Sequence, residues 1–300
     1  MSSFRERNDR KSQSAKNRSQ NFVDKPRGSA GKLVHDARRD DKPQFKQKPK
    51  ANYDGWLWGV HAVEAALKNS SRQGPIKLFL SEERTKSAPP ALFKRQDIKI
   101  SSLPMNEISR LLPPDAVHQG MALHAPVLEG DSLDDLIERD AKNGLHVILM
   151  LDQVTDPQNI GAIFRSAAAF GVKGLIMQDR HSPPLQGVLA KTAVGAVDVV
   201  PFARVTNLSR ALEALNEQGY VSVGLAGEGE FNLHDLLARQ GWGESQKKLV
   251  LVLGAEGEGI RRLVAEHCDH LARIPMPGGF ESLNVSHAAS ISLYEACGRR

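Results

Sequence analysis

Long apolar runs, a secretory leader and paired cysteines are all missing from this sequence. The apolar run Val147–Leu151 stops at Asp152, far short of the roughly 20 residues a bilayer needs, and reads as a buried strand. The N-terminus carries early charges and no apolar stretch, so no secretory signal is expected. Two cysteines, Cys268 and Cys297, are too few for a disulfide framework or a structural zinc site. No metal is expected at the site, and a reducing cytoplasm is the expected compartment. The 300 residues, 40% hydrophobic and 25% charged, have room for a tail and one or two soluble globular domains.

Positive charge is concentrated at one end. The net charge is +5, yet residues 1–50 hold 15 Lys and Arg against 6 Asp and Glu, while the other 250 hold 25 against 29. Few large apolar side chains are scattered among those N-terminal charges, too few to offset chain entropy, so a basic disordered tail is expected over 1–50. Such a tail suits a polyanion, because each cation near a phosphate releases counterions. A solubilising tail with no specific partner is the plainer alternative.

Behind the tail the spacing predicts a small α/β unit over 53–127. Helices are expected at Gly59–Lys68, at 91–95 and at Asn106–Leu112, with strands at Ile76–Leu80, Ile98–Ile100 and His118–His124. An acidic, partly helical linker over 128–145 ends at Asn143–Gly144. From 146 to 300 strands and helices alternate. Strands are expected at His146–Asp152, Lys173–Gln178, Val197–Pro201, Tyr220–Ala226, Leu249–Gly254 and Leu271–Ile274. Helices of this length between strands imply an α/β fold with a mostly parallel sheet, whose ligands bind in loops at the carboxyl ends of the strands.

Three strand ends carry chemistry. In the first, Asp156 can cap a helix with Pro157 at its first position, which puts Asn159 in the first turn and Arg165 six residues later. On this segment alone Arg165 could be an ordinary surface ion-pairing residue. In the second, Leu249–Gly254 runs into alternating glycines with Glu256 and Glu258 among them. Those glutamates repel phosphates, no Walker lysine follows, and the dinucleotide fingerprint is absent, so a cationic or sulfonium ligand suits the loop better than a nucleotide. A plain turn is the bland reading. In the third, a Pro/Gly loop from Ile274 leads to Ser282, which can cap the last helix, with Asn284 in that helix's first turn. Both could be capping groups and nothing more.

Together the three segments resemble the motifs of the SpoU (TrmH-type) branch of the SPOUT RNA methyltransferases. They read Asn159–Arg165, Gly254–Gly259 and Ile274–Ser286, and the resemblance spans 53–298. Gly59-Val-His-Ala-Val and His118-Gln-Gly resemble the ribosomal-protein-like substrate-binding domain of the family's ribosomal-RNA guanosine-2'-O members. Phe280–Glu281 and His287 depart from the usual pattern.

The resemblance implies a C-terminal trefoil knot, an exception to the general avoidance of knots. It also implies S-adenosylmethionine bound at Gly254, Ile274 and Leu283, and a homodimer with the active site at the subunit interface. Arg165, Asn159, Glu256, Ser282 and Asn284 then become the expected catalytic set, with Glu256 orienting Arg165 or another polar partner. The implied reaction is methyl transfer to a ribose 2'-hydroxyl of RNA, with a guanosine of large-subunit ribosomal RNA favoured by the front domain. Transfer RNA is the rival substrate, and a non-catalytic ribosome-assembly factor of the same fold is the rival class. An ordinary nucleotide-dependent Rossmann enzyme lacks its glycine fingerprint here.

Overall fold

The computed structural model describes residues 53–90, 92, 96–139, 146–239 and 248–298. The expected basic tail, nearly all of the short helix at 91–95 and the Asn143–Gly144 end of the linker lie outside the described residues. Two sheets organise the remainder, within one unit spanning 51–300.

The front sheet contains β1 (Trp56–Trp58), β2 (Ile76–Leu80), β3 (Ile98–Ser102) and β4 (Met121–His124), in the order β1-β4-β2-β3. Ile76, Leu78 and Leu80 alternate inward along β2 and pack with Leu57, Leu123 and Val63 of α1 (Val60–Lys68). Helix α2 (Glu82–Ser87) begins where Ser81 accepts a hydrogen bond from the Arg84 amide. Neither β1 nor α2 was expected from the sequence. Helix α3 (Met105–Leu111) starts behind Pro104 without a side-chain cap, so Asn106 lies inside the helix and does not open it. The segment from His118 becomes a strand only at Met121, because Gln119 and Gly120 turn through positive φ first.

After α4 (Leu133–Glu138), whose Ser132 and Asp135 form a capping box, comes the large sheet. Its strands are β5 (His146–Asp152), β6 (Gly174–Gln178), β7 (Phe202–Val205), β8 (Tyr220–Leu225), β9 (Phe231–Asn232), β10 (Lys248–Gly254) and β11 (His270–Arg273). The order is β7-β6-β5-β10-β8-β11-β9, and every described pairing is parallel. Helices α5 (Pro157–Phe170), α6 (Gly187–Ala193), α7 (Leu208–Glu217), α8 (Leu233–Arg239), α9 (Arg262–Glu266) and α10 (Val285–Leu293) flank it. The strands are buried on both faces, which is why they read as continuous apolar runs. The strand expected at Val197–Pro201 is instead a 3-10 turn, Ala196–Asp198, and β7 starts at Phe202. Val197 and Val200 are buried there, so the apolar pattern is genuine but serves a packed turn. The last helix, α10, ends at Leu293, and a π turn carries Tyr294–Gly298.

The front sheet rests on the large one through α6 and the turn at 196–198. Arg72 donates from Nε to Asp198 Oδ1 (2.6 Å), from Nη2 to Asp198 Oδ2 (3.2 Å) and from Nη1 to the Pro126 carbonyl (2.9 Å). Lys191 Nζ donates to Gln119 Oε1 at 3.0 Å, and a Cβ at Gly59 would collide with the same lysine. The Gly59 and His118-Gln-Gly motifs thus meet at this seam. No described helix is long and apolar enough to cross a membrane.

Candidate active site

The first motif folds as its local signals require. Asp156 accepts from the Gln158 and Asn159 amides, Pro157 occupies the first helical position, and Gly171 ends α5 in the left-handed region. Gly161 in the same helix sits against α6, where a Cβ would lie 2.6 Å from the Leu189 carbonyl oxygen. Asn159 is buried, whereas Arg165 is exposed and forms no hydrogen bond or ion pair among the described residues. Six residues in an α-helix amount to a net rotation of about 120°, so the two side chains leave α5 in different directions.

The second motif is a loop closed on itself. Ala255 and Gly259 exchange two backbone hydrogen bonds of 3.1 and 3.0 Å, which bring the loop back over Gly254. A Cβ on Gly254 would lie 2.0 Å from the Gly259 carbonyl carbon, so no other residue fits without moving the loop. The far side of the loop is anchored by Asp152, fully buried at the end of β5. It accepts from the Arg261 amide and from Arg261 Nε, both at 2.8 Å. Sequence reasoning passed over Asp152 and Arg261. The available signal was a carboxylate ending a wholly apolar strand, since such a group needs a partner.

The third motif differs from expectation in which residue caps α10. Asn284, not Ser282, is the capping residue: its Oδ1 accepts from the Ser286 amide (2.9 Å), the His287 amide (3.4 Å) and the Ser286 hydroxyl (2.6 Å). The helix begins at Val285, so Asn284 precedes the first turn, while Ser282 is exposed and makes no hydrogen bond among the described residues.

The three motifs meet in a polar triangle. Asn159 Nδ2 donates to Glu256 Oε1 (3.0 Å), and Asn284 Nδ2 donates to the same oxygen (2.6 Å) and to Asn159 Oδ1 (2.9 Å). Glu256 therefore pairs with the two asparagines and not with Arg165. Beside the triangle opens a cavity of about 860 Å³, lined by loops after β8, β10 and β11. Gly254, Glu256, Ile274, Ser282, Leu283 and Asn284 all line it; Arg165 and Asn159 do not. The lining also holds Glu228, Glu258 and Glu281 and no lysine, arginine or histidine. Such a wall suits a ligand bearing positive charge and an apolar ring, and repels polyphosphates. S-adenosylmethionine carries a sulfonium, an ammonium and an adenine, so the residues present fit it.

Cys268 stands behind this region. Burial, and then the carboxylates of Asp269 and Asp152, push its thiol up to about 12, which keeps it protonated and unreactive at neutral pH.

Comparison with known proteins agrees with this geometry. Residues 146–294 match the SpoU rRNA Methylase family, and residues 56–129 match the family described as RNA 2'-O ribose methyltransferase substrate binding. The 23S rRNA (guanosine-2'-O-)-methyltransferase RlmB of Vibrio parahaemolyticus is 37% identical over 252 residues, covering 82% of this chain and 97% of the relative. The enzyme of the same name from Pseudomonas aeruginosa is 38% identical over 250 residues, covering 81% and 96%. Among solved structures, the SpoU methyltransferase AviRb from Streptomyces viridochromogenes, in complex with AdoMet, superposes with a TM-score of 0.65. It is 24% identical, with 82% of this chain and 89% of that one covered. An rRNA methyltransferase from Sinorhizobium meliloti gives 0.65 at 23% identity, covering 80% and 85%. These likenesses establish the fold, and the sequence matches establish the kinship: this chain belongs to the SpoU rRNA methylase family.

Proposed function

We propose that this chain transfers the methyl group of S-adenosylmethionine to the ribose 2'-hydroxyl of a guanosine in large-subunit (23S-type) ribosomal RNA. The observation that carries the reading is the meeting of three strand-end loops on one cavity with an anionic, cation-free wall. The choice of substrate rests on the relatives named for 23S guanosine methylation, which share 37–38% of their residues with almost the whole folded chain. The setting would be the cytoplasm.

The cofactor supplies a methyl group already activated on sulfur, so displacement by a ribose oxygen needs no covalent intermediate on the protein. The chain's tasks are to hold the cofactor, align the hydroxyl and stabilise the charge that develops on it. Gly254 lets the β10 loop approach the ligand, while Ile274 and Leu283 line the apolar side. The Asn159–Glu256–Asn284 triangle fixes the mouth of the cavity, with amide groups to orient the ribose and Ser282 beside them. Arg165 remains cationic throughout, so it acts on the developing alkoxide or clamps the adjoining phosphate and does not act as a free base.

Arg165 is exposed and does not line the cavity of its own chain, which suits a homodimer in which it serves the partner's cavity. The α5–α10 surface has the character of such an interface: Ile291 and Tyr294 are 37% and 49% exposed, and Ala168 and Ala169 of α5 are exposed as well. In this reading the chain after β10 is threaded through a knot, which would hold the β10 and β11 loops against each other.

The test is transfer of labelled methyl from S-adenosylmethionine to separated ribosomal and transfer RNA, followed by alkaline hydrolysis. Alkali-resistant labelled dinucleotides from the ribosomal fraction are expected. Label confined to transfer RNA would overturn the substrate, and label in alkali-labile mononucleotides would overturn the 2'-hydroxyl as acceptor.

A further inference from the structure

Outside the lining of the cavity, a row of side chains crosses one face of the front sheet. Lys77 lies opposite Lys99, His124 opposite Lys77, and Trp56 opposite His124. Directly opposed residues share a face, so these four form one line across all four strands. Phe79, two residues beyond Lys77 on the same face, has its ring centroid 5.5 Å from that of Trp56, and the His124 ring lies 5.2 Å from Trp56. The other face is closed by α1 over Leu57, Leu78 and Leu123. On the row's own face α3 covers the far end, where Ile108 packs with Trp58 and Ala122. The row itself is left open: Lys77 and Lys99 are exposed, and Trp56 and His124 are half-buried.

Stability does not explain the two lysines. Like charges directly opposed across strands are unfavourable, and neither ammonium has an ion pair or hydrogen bond among the described residues. A lysine on an outer strand blunts sheet-to-sheet aggregation, which accounts for Lys99 on β3 but not for Lys77 on the interior strand β2. Cations beside a cluster of half-exposed rings are instead the chemistry that grips single-stranded nucleic acid: rings stack on bases and ammonium groups neutralise phosphates.

We propose that this row is a docking face for RNA, on which an unpaired base stacks against the Trp56–His124 rings while Lys77 and Lys99 hold the flanking phosphates. This role presupposes the RNA substrate proposed above. The basic segment 1–50 ends six positions before Trp56 in the sequence.

The experiment compares full-length protein with the Lys77→Glu/Lys99→Glu double variant and with Trp56→Phe. Because the double variant keeps like charges opposed, its melting temperature should stay near that of the wild type. With a 23S transcript as substrate its KM should rise roughly tenfold at unchanged kcat and unchanged cofactor affinity. With oligouridylate as probe, the slope of log affinity against log salt should shrink by about 1.4, the share of two phosphate contacts on a single strand. Oligouridylate should also quench tryptophan emission in the wild type and much less in Trp56→Phe.

Unchanged KM, salt slope and quenching would overturn the docking face. A defect seen only on preribosomal particles, and not on naked transcript, would overturn it in favour of a protein partner. Failure of the methyltransferase reading looks different: the wild type would methylate no RNA, while oligouridylate still quenched Trp56 and the face stood.

Discussion

Two arginines divide the labour in this chain. Arg72, in the seam between the sheets, is almost wholly buried and spends its guanidinium on both oxygens of Asp198 and on the Pro126 carbonyl. Arg165, on the motif helix α5, is exposed and engages nothing among the described residues. A fully paired arginine holds architecture, and an unpaired one is available to groups the chain itself does not supply. The sequence motif singled out Arg165, while nothing local marked Arg72, because its partner lies 126 residues away.

Substitution at each should separate the two roles. Arg72→Ala leaves Asp198 buried without its counter-charge, and the expected loss is about 3–5 kcal/mol of unfolding free energy, read by urea denaturation. Adding Asp198→Leu should recover part of that loss; no recovery would mean that packing, not charge, sets the cost. Arg165→Ala should do the opposite. Its stability should stay within about 0.5 kcal/mol of the wild type, as at an ordinary exposed site. Its kcat should fall by about 10²-fold with cofactor affinity intact, as for a group that acts on the transition state. Equal losses of cofactor affinity and rate would remove Arg165 from that role.

How much of this was legible follows from how local each signal is. Asp156-Pro157 at the start of α5 and the glycines after β10 act within a few residues, so their loops could be read directly. The apolar strands were readable because burial on both faces leaves continuous runs. Val197–Pro201 misled because a packed 3-10 turn and a buried strand demand the same apolar residues. Ser282 and Asn284 are both competent caps two residues apart, and only the geometry of the chain entering α10 selects Asn284. The partners of Glu256 and Asp152 were hidden for a different reason: 28 to 109 residues separate each pair, and topology alone brings them together.

Within the site, a backbone requirement should outweigh a side-chain one. Gly254→Ala drives a Cβ into the Gly259 carbonyl, so the loop must shift, and cofactor affinity measured by calorimetry should drop by at least about tenfold, or 1.4 kcal/mol. Secondary structure should be retained, since Gly254 is the last residue of β10 and the clash is with the loop that follows. Glu256→Ala removes the acceptor shared by two amides at the edge of the cavity, and in the same titration the expected loss of cofactor affinity is smaller, about fivefold or 1 kcal/mol. A larger effect from Glu256→Ala than from Gly254→Ala would reverse that ordering and make the triangle, not the loop backbone, the main element of the cofactor site.

The smallest effects are in pH dependence, where the two sheets should respond at opposite ends of the scale. Just before β4 of the front sheet, burial holds His118 below its ordinary value, and the Gly120 amide donates to its Nδ1. Nε2 then carries the proton and donates to the Ser109 hydroxyl at 2.9 Å. Below about pH 6.5 the unfolded chain takes up a proton that the folded one resists, so stability from neutral His118 is complete above that pH and is lost as pH falls through the lower folded value. His118→Gln should flatten the stability profile on the acid side. In the large sheet the folded Cys268 thiol, pushed up to about 12, keeps its proton while the unfolded thiol loses it near its ordinary 9.0. Its contribution is therefore present below pH 9 and lost as pH rises toward 12. Cys268→Ala should flatten the alkaline limb, leave the acid limb alone and keep full methyl transfer, because the thiol stays protonated at neutral pH and the reaction proposed above does not use it. A Cys268→Ala enzyme with reduced turnover at neutral pH would show that the packing behind the β10 loop reaches the chemistry after all.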